Sequence, residues 1–160
     1  MKQLLFLAAM LVTLSLQAGP LHEACRNGDL EAAKKALEAA PGAINELDKV
    51  KLTPLMYAVR TNAALAEFLI KKGADVKVKG FMGGQALHSA AVKHNVESMK
   101  VLLDNGADVN ARDESGGTPA HYAANKLGPR RTEALDLLAK YKADFSLKDD
   151  EGQPIRRYIK

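Results

Sequence analysis

Histidines and a lone cysteine are the side chains of this 160-residue chain best suited to ligate a metal or to act as a nucleophile. The histidines are His22, His88, His94 and His121, and the cysteine is Cys25. A cysteine can be activated by a neighbouring histidine, and His22 precedes Cys25 by three residues, which permits contact on a helix. No third group or oxyanion hole accompanies this pair. The alternative, a buried packing cysteine, needs none of these partners.

Motifs of catalysis and nucleotide binding are missing from the sequence. It has no GxSxG, HExxH, GxxxxGK[ST] or GxGxxG, and one cysteine excludes an internal disulfide or a multi-cysteine zinc cluster. Asp75, Asp108 and Asp144 are expected to close turns, and Asp113, Asp149 and Asp150 to lie in hairpin tips. The sequence therefore favours a protein that is not an enzyme, with no metal and no cofactor.

The composition indicates thin, closely packed helices. Hydrophobic residues make up 47% of the chain but aromatic residues only 5%, with no tryptophan. A charged fraction of 26% and a mean hydropathy of −0.18 exclude a polytopic membrane protein. The net charge of +4 is too small to indicate a nucleic-acid partner.

Residues 1–18 resemble a secretory signal peptide. Lys2 is the only charge in this segment, and the stretch 4–16 is almost wholly apolar. Small residues follow at Ala18 and Gly19, which predicts cleavage after Ala18. The apolar run is short for a membrane span, which needs about 20 residues. We therefore expect a periplasmic or secreted protein; an uncleaved anchor and a buried N-terminal helix are the alternatives.

Two phrases recur in step along the rest of the chain. TPLMYA at 53–58 returns as QALHSAA at 85–91 and as TPAHYAA at 118–124, in steps of 32 and 33 residues. GADV at 73–76 returns as GADVN at 106–110 and as KADF at 142–145. A weaker first copy, GPLHEAC, lies at 19–25, and a truncated start, QPI, at 153–155. A period of this length is typical of stacked helical units.

These phrases resemble the ankyrin repeat, whose signature is TPLHxAA followed by GADVN. The resemblance implies an all-α solenoid of stacked helix-turn-helix pairs with short β-hairpin tips, a domain that binds other proteins without catalysis. Its predicted repeats span about 19–52, 53–84, 85–117 and 118–152, with a partial C-terminal cap at 153–160. It also implies that His22, His88 and His121 hydrogen-bond the backbone of neighbouring turns.

Local signals agree with this architecture. Pro54 and Pro119 suit the first turn of a helix, and Thr53 and Thr118 stand where an N-cap oxygen is needed. Gly73 and Gly106 suit left-handed helix ends, and Lys142 replaces the corresponding glycine. Lys51 replaces a turn glycine. His94 is expected to be an exposed loop residue, and Cys25 to be buried.

The predicted partner-binding surface is the concave face and the hairpin tips. The slot after the TPLH phrase holds Tyr57, Ser89 and Tyr122, with Glu23 in the first copy, and both tyrosines are predicted to be exposed. The next slots, Arg60, Lys93 and Lys126, would make the groove basic and favour an acidic or mixed protein surface. The tips contribute Lys49, Val50, Leu52, Phe81, Met82, Glu114, Ser115, Asp150 and Glu151.

Phe81 and Met82 are the strongest anomaly, because a tip is normally polar. The alternative is that both side chains fold back onto the third repeat. Two basic pairs, Arg130–Arg131 and Arg156–Arg157, are expected to be solvated, with anionic lipid or a second partner as the alternative.

Three functions follow as hypotheses. The first is an exported bacterial adaptor or chaperone-like partner of an envelope protein. The second is an immunity protein that neutralises an exported toxin or enzyme, and the third is a redox protein that uses Cys25. A monomer is expected because the first repeat is polar on its outer face.

Overall fold

The computed structural model describes residues 19–125 and 128–155, and within these ranges the chain is all-α, as predicted. Its eight described α-helices are α1 Pro20–Asn27, α2 Leu30–Ala39, α3 Pro54–Thr61, α4 Ala63–Lys71, α5 Ala86–Lys93, α6 Val96–Asp104, α7 Pro119–Asn125 and α8 Arg131–Lys140. Two short 3₁₀-helices span Pro41–Asn45 and Phe81–Gly83. None of these helices has the length and apolar character that crossing a bilayer requires. The predicted leader 1–18, Lys126 and the tail 156–160 lie outside the described residues.

Polar side chains at the predicted positions start the helices. The Thr53 hydroxyl accepts the Met56 N–H at 3.2 Å, and Pro54 and Pro119 open α3 and α7. The second helix of a pair is capped in the same way by Asp29, Asn62 or Asn95. These caps satisfy backbone donors that have no partner inside the helix.

The helices form two rows. The first helices α1, α3, α5 and α7 pack in sequence order, and α4, α6 and α8 form the second row against them. Helix α2 packs on α1 and on the 3₁₀-helix Pro41–Asn45, which in turn contacts α3. Each pair therefore buries its apolar face against the next pair, as in other solenoids.

Alanines at the contacts of the first row permit this close stacking. Ala58, Ala90 and Ala123 are fully buried on α3, α5 and α7. Leucines fill the space between the two rows, and Leu87 and Leu102 are fully buried. The low aromatic content thus reflects a core built from thin layers.

Left-handed residues end the helices and turn the tips. Gly73 and Gly106 have φ of 99° and 83°, as their positions predicted. Lys142 and Lys51, which replace glycines, adopt φ of 64° and 56°. A side chain in this region is strained by about 1 kcal/mol relative to glycine.

The prediction that His94 is an exposed loop residue is wrong. Its side chain is buried, its φ is 51°, and its Nε2 donates to the Ala123 carbonyl at 2.8 Å. The loop between α5 and α6 lies against α7, so the imidazole reaches a carbonyl of the next pair. His94 therefore ends α5 and links it to α7.

Candidate protein-binding surface

Four five-residue turns precede or follow the helix pairs and form one edge of the molecule. We call them tip 1 (48–52), tip 2 (80–84), tip 3 (113–117) and tip 4 (149–153). In each, the first residue's N–H donates to the fifth residue's carbonyl, at 3.0, 2.8, 3.0 and 3.1 Å respectively. The predicted β-hairpins are reduced to these turns and, among the described residues, to one isolated bridge between Lys148 and Pro154.

Backbone hydrogen bonds join each tip to the next. The Phe81 N–H donates to the Lys51 carbonyl at 2.8 Å, and the Glu114 N–H donates to the Met82 carbonyl at 2.9 Å. The Asp150 N–H donates to the Ser115 carbonyl at 3.0 Å. The four tips therefore form a continuous row held by the main chain, which limits how far one tip can move alone.

An aspartate opens three of the four tips. One carboxylate oxygen of Asp48 accepts the Val50 and Leu52 N–H groups at 3.0 and 2.9 Å. Asp113 and Asp149 make the same pair of bonds in tips 3 and 4. These bonds hold the turn closed and consume half of each carboxylate's accepting capacity.

Tip 2 has Gly80 where the other tips have aspartate. A Cβ at this position would lie 2.5 Å from the Lys51 carbonyl oxygen and 2.7 Å from the Met56 sulfur, so no side chain fits without a backbone shift. Tip 2 also places Met82 at φ 50°, beside Gly83 at φ 71°. A non-glycine residue in this conformation is uncommon and is a reason to look for function.

The prediction that both ladder tyrosines are exposed is wrong. Tyr57 is only 9% exposed and Tyr122 is half-buried. The Tyr57 hydroxyl donates to the second oxygen of Asp48 at 2.8 Å, and the Tyr122 hydroxyl donates to Asp113. Each tyrosine therefore ties a tip to the first helix that follows it, and neither ring is fully exposed to a partner.

Each tyrosine ring also packs edge-on against a histidine of the preceding pair. The centroid distance is 6.4 Å for Tyr57 on His22 and 5.7 Å for Tyr122 on His88. Burial, and then the hydrogen bond to Asp113, raise the pKa of Tyr122 to about 12. Burial and the Asp48 bond raise the pKa of Tyr57 as well. Both phenols therefore stay protonated donors at neutral pH.

Large hydrophobic side chains are exposed on tips 1 and 2 and immediately before tip 1. Within 19–125 and 128–155 they are Leu47 at 46%, Val50 at 54%, Phe81 at 60% and Met82 at 48%. We call these four residues the apolar patch. The Phe81–Lys51 backbone bond places tips 1 and 2 side by side. The exposure of Phe81 and Met82 shows that these side chains do not fold back onto the third repeat. The sequence singled out Phe81, Met82 and Val50, but nothing in its pattern distinguished Leu47.

Arg60 and Lys93 lie at the ends of α3 and α5 away from the tips. They line an open recess of ≈ 470 Å³ together with Arg130, whose guanidinium is bound by Glu97 and Glu133. A helix of this length separates them from the apolar patch by roughly 10 Å. Of the other predicted contacts, Ser89 is half-buried, Glu114 is exposed on tip 3, and Lys126 lies outside the described residues.

The cysteine and histidine side chains considered for catalysis or metal binding have structural roles in this fold. Cys25 is fully buried, and burial raises the pKa of its thiol to about 12, which leaves little thiolate. The Nε2 atoms of His22 and His88 donate to the carbonyls of Glu46 and Ala111, at 2.9 and 3.1 Å. No group of three or more His, Cys, Asp or Glu residues in the described part of the chain could hold a metal ion.

Comparison with known proteins places these features in a family. The family model described as "Ankyrin repeats (3 copies)" matches residues 2–80, 21–113 and 80–149. The chain therefore belongs to the ankyrin-repeat family. Ankyrin-repeat proteins are protein-binding modules, generally without catalytic activity, so the chain is a protein–protein binding module.

Similar curated proteins share only a part of their length with this chain. Inversin of Mus musculus is 36% identical over 87 residues, 54% of this chain and 8% of that protein. BTB/POZ domain-containing protein 3 of Schizosaccharomyces pombe is 35% identical over 71 residues, 44% of this chain and 14% of that protein. A homologue of transient receptor potential cation channel subfamily A member 1, from Caenorhabditis elegans, is 36% identical over 72 residues, covering 44% and 6% of the two chains.

Proposed function

We propose that this chain is an exported, non-catalytic adaptor or chaperone-like protein that binds an envelope protein through the apolar patch. One observation carries the proposal: the large hydrophobic side chains exposed in the described part of the chain are gathered on tips 1 and 2 and their lead-in. Clustered exposed apolar groups are typical of interaction surfaces, whereas single ones need no explanation.

The geometry of the tip row supports tight binding. Because the main chain joins each tip to its neighbours, the patch is preformed and loses little conformational entropy when a partner docks. Full burial of a side chain such as Phe81 or Met82 contributes about 2 kcal/mol. Arg60 and Lys93, at the far ends of α3 and α5, and half-buried Ser89 are separate polar contacts that a larger partner would reach beyond the patch.

The character of residues 1–18, a single positive charge followed by an apolar run, supports export. We expect the protein in the periplasmic fraction after osmotic shock, with Gly19 at its N-terminus by terminal sequencing. Retention of residues 1–18 in a membrane fraction would favour the anchor. A full-length protein in the cytosol would contradict export.

Capture from an envelope extract tests the patch. The variant carries Val50→Ser, Phe81→Ser and Met82→Ser, and we expect its capture of the partner to fall by at least about tenfold, since central apolar anchors dominate binding energy. Tyr122 is left intact because its bond to Asp113 holds tip 3. The captured protein is identified and its affinity measured by calorimetry.

A matched control carries Ala64→Ser, Glu67→Ser and Lys71→Ser on the exposed side of α4. We expect it to capture the partner like the wild type, and both variants should keep the wild-type circular dichroism spectrum. Undiminished capture by the patch variant would refute the proposed surface. If binding abolishes an enzymatic or toxic activity of the captured protein, the inhibitor or immunity role replaces the adaptor role.

A further inference from the structure

We infer that the apolar patch, if it binds a partner as proposed above, takes a polypeptide segment whose apolar side chains are flanked by carboxylates on the side of tip 1. The inference rests on the proposed function and adds the chemistry of the partner and the side of the patch on which its acidic groups lie. It follows from the charges that border the patch and from which of them are already neutralised.

Lysines without ion pairs border the patch on tip 1 and on the lead-in to tip 2. Lys49, Lys51 and Lys79 are exposed, and the salt bridges found in the described part of the chain involve none of them. Lys51 accepts the backbone bond from the Phe81 N–H, and Lys79 precedes Phe81 by two residues. These lysines therefore lie within two residues of Val50 or Phe81 along the chain.

The carboxylate of tip 1 makes no ion pair with these lysines. One oxygen of Asp48 accepts the Val50 and Leu52 N–H groups, and the other accepts the Tyr57 hydroxyl. Both oxygens are thus turned toward the turn and the first helix. Counted with exposed Glu46 beside Leu47 and with Asp48, which keeps its charge, the three lysines leave this border with a net charge of +1, three positive minus two negative.

The opposite border of the patch is acidic. Glu114 on tip 3 is exposed, its N–H donates to the Met82 carbonyl, and its side chain lies close to Gly83 of tip 2. Tip 4 continues the row with Asp149, Asp150 and Glu151, of which Asp150 pairs with Arg112. The row of tips therefore changes sign from tip 1 to tip 4, with the apolar patch nearer the positive end.

This arrangement favours a polypeptide over an anionic membrane. A flat anionic surface that met Phe81 and Met82 would also meet Glu114 and the acidic tip 4 in the same row, which like-charge repulsion opposes. A peptide segment can instead place carboxylates at the lysines and keep neutral or basic groups toward tip 3. The sign change thus places the acidic end of such a segment at tip 1, whichever way its chain runs.

Selection from a library of short random peptides displayed on phage tests the inference. Wild-type protein, the serine patch variant, and a variant carrying Lys49→Glu, Lys51→Glu and Lys79→Glu serve as targets. We expect wild-type protein to select apolar residues flanked by Asp or Glu, and the glutamate variant to select apolar residues flanked by Lys or Arg. A wild-type-selected peptide should bind the glutamate variant at least about tenfold more weakly, and its affinity should fall with added salt.

A second variant, with glutamine at the same three positions, guards against misfolding caused by charge reversal. It should lose most of the acidic preference while keeping the melting temperature of the wild type.

Selection that depends on Phe81 and Met82 but shows no charge preference would overturn this inference and leave the proposed function intact. If the wild type and the serine patch variant select the same peptides equally well, the proposed function itself is refuted. Lysine-dependent cosedimentation with phosphatidylglycerol vesicles, without acidic peptides, would overturn the inference in favour of a membrane.

Discussion

Replacing Leu87 with alanine should lower the free energy of unfolding by about 3 kcal/mol, within the range measured for buried leucines. Leu87 is fully buried on α5, the helix that packs against α3 on one side and α7 on the other. The truncation leaves a cavity between layers that are already thin, so the neighbours have few side chains with which to fill it. Urea titration followed by circular dichroism measures the loss.

Leu47→Ala is the matched control, since the same atoms are removed from a side chain that is 46% exposed. Its effect should stay within about 0.5 kcal/mol, as for most surface substitutions. A loss below about 1 kcal/mol for Leu87→Ala would mean that the helices close the gap, contradicting the close-packed core inferred from the alanine contacts.

His88→Ala should also cost about 3 kcal/mol, because several buried polar groups lose their partner together. Nδ1 of His88 accepts the Gln85 N–H at 3.1 Å, and Nε2 donates to the carbonyls of Ala111 and Gly117 at 3.1 and 3.3 Å. This imidazole therefore ties the start of α5 to tip 3. The same denaturant titration measures the effect.

His121→Ala provides the comparison. His121 is half-buried, and its Nε2 reaches the Gln153 carbonyl at 3.3 Å near the C-terminal end of the array. The Thr118 N–H also loses its bond to Nδ1, as the Gln85 N–H does in His88→Ala, but solvent can replace the exposed bond to Gln153, so we expect a smaller loss of about 1 kcal/mol. Equal losses of unfolding free energy in the two variants would show that the burial of the His88 hydrogen bonds does not increase their contribution to stability.

The His88 substitution should also change the pH dependence of stability. Burial lowers the pKa of His88 below its ordinary value of 6.5, so in the window below that value the unfolded chain binds a proton that the folded chain does not. Stability is therefore full above pH 6.5 and falls as the pH drops toward the folded pKa. Melting temperatures measured from pH 7.5 to pH 5 should fall less steeply in His88→Ala than in the wild type. Parallel slopes would assign the acid sensitivity to other groups.

The architecture was predictable because it depends on short-range signals repeated along the chain. The first turn of any helix leaves backbone N–H groups unpaired. The Thr53 side chain accepts one of them, and Pro54 has no N–H group to satisfy. Gly73 and Gly106 end helices because they adopt positive φ without strain. Each such signal acts within a few residues, and its recurrence indicated how the units stack.

The surface was predictable only in part, because contacts between repeats decide which side chains reach solvent. Tyr57 and Tyr122 occupy slots that the pattern marks as exposed, yet each finds a carboxylate nine residues earlier in a tip. His94 reaches a carbonyl 29 residues later. A pattern that is read along a single helix or turn cannot identify partners at such separations in sequence.

The sequence by itself determined the repeat architecture, the helix ends, the burial of Cys25 and the anomaly at Phe81 and Met82. The tertiary structure decided that the tyrosines close the tips, that the main chain joins the tips in a row, and that Leu47 and Val50 enlarge the apolar spot to a patch. The physical reason is the range of the interactions. Helix caps and left-handed turns act locally, whereas the exposure of a side chain depends on which distant carboxylate or carbonyl the stacked repeats bring to it.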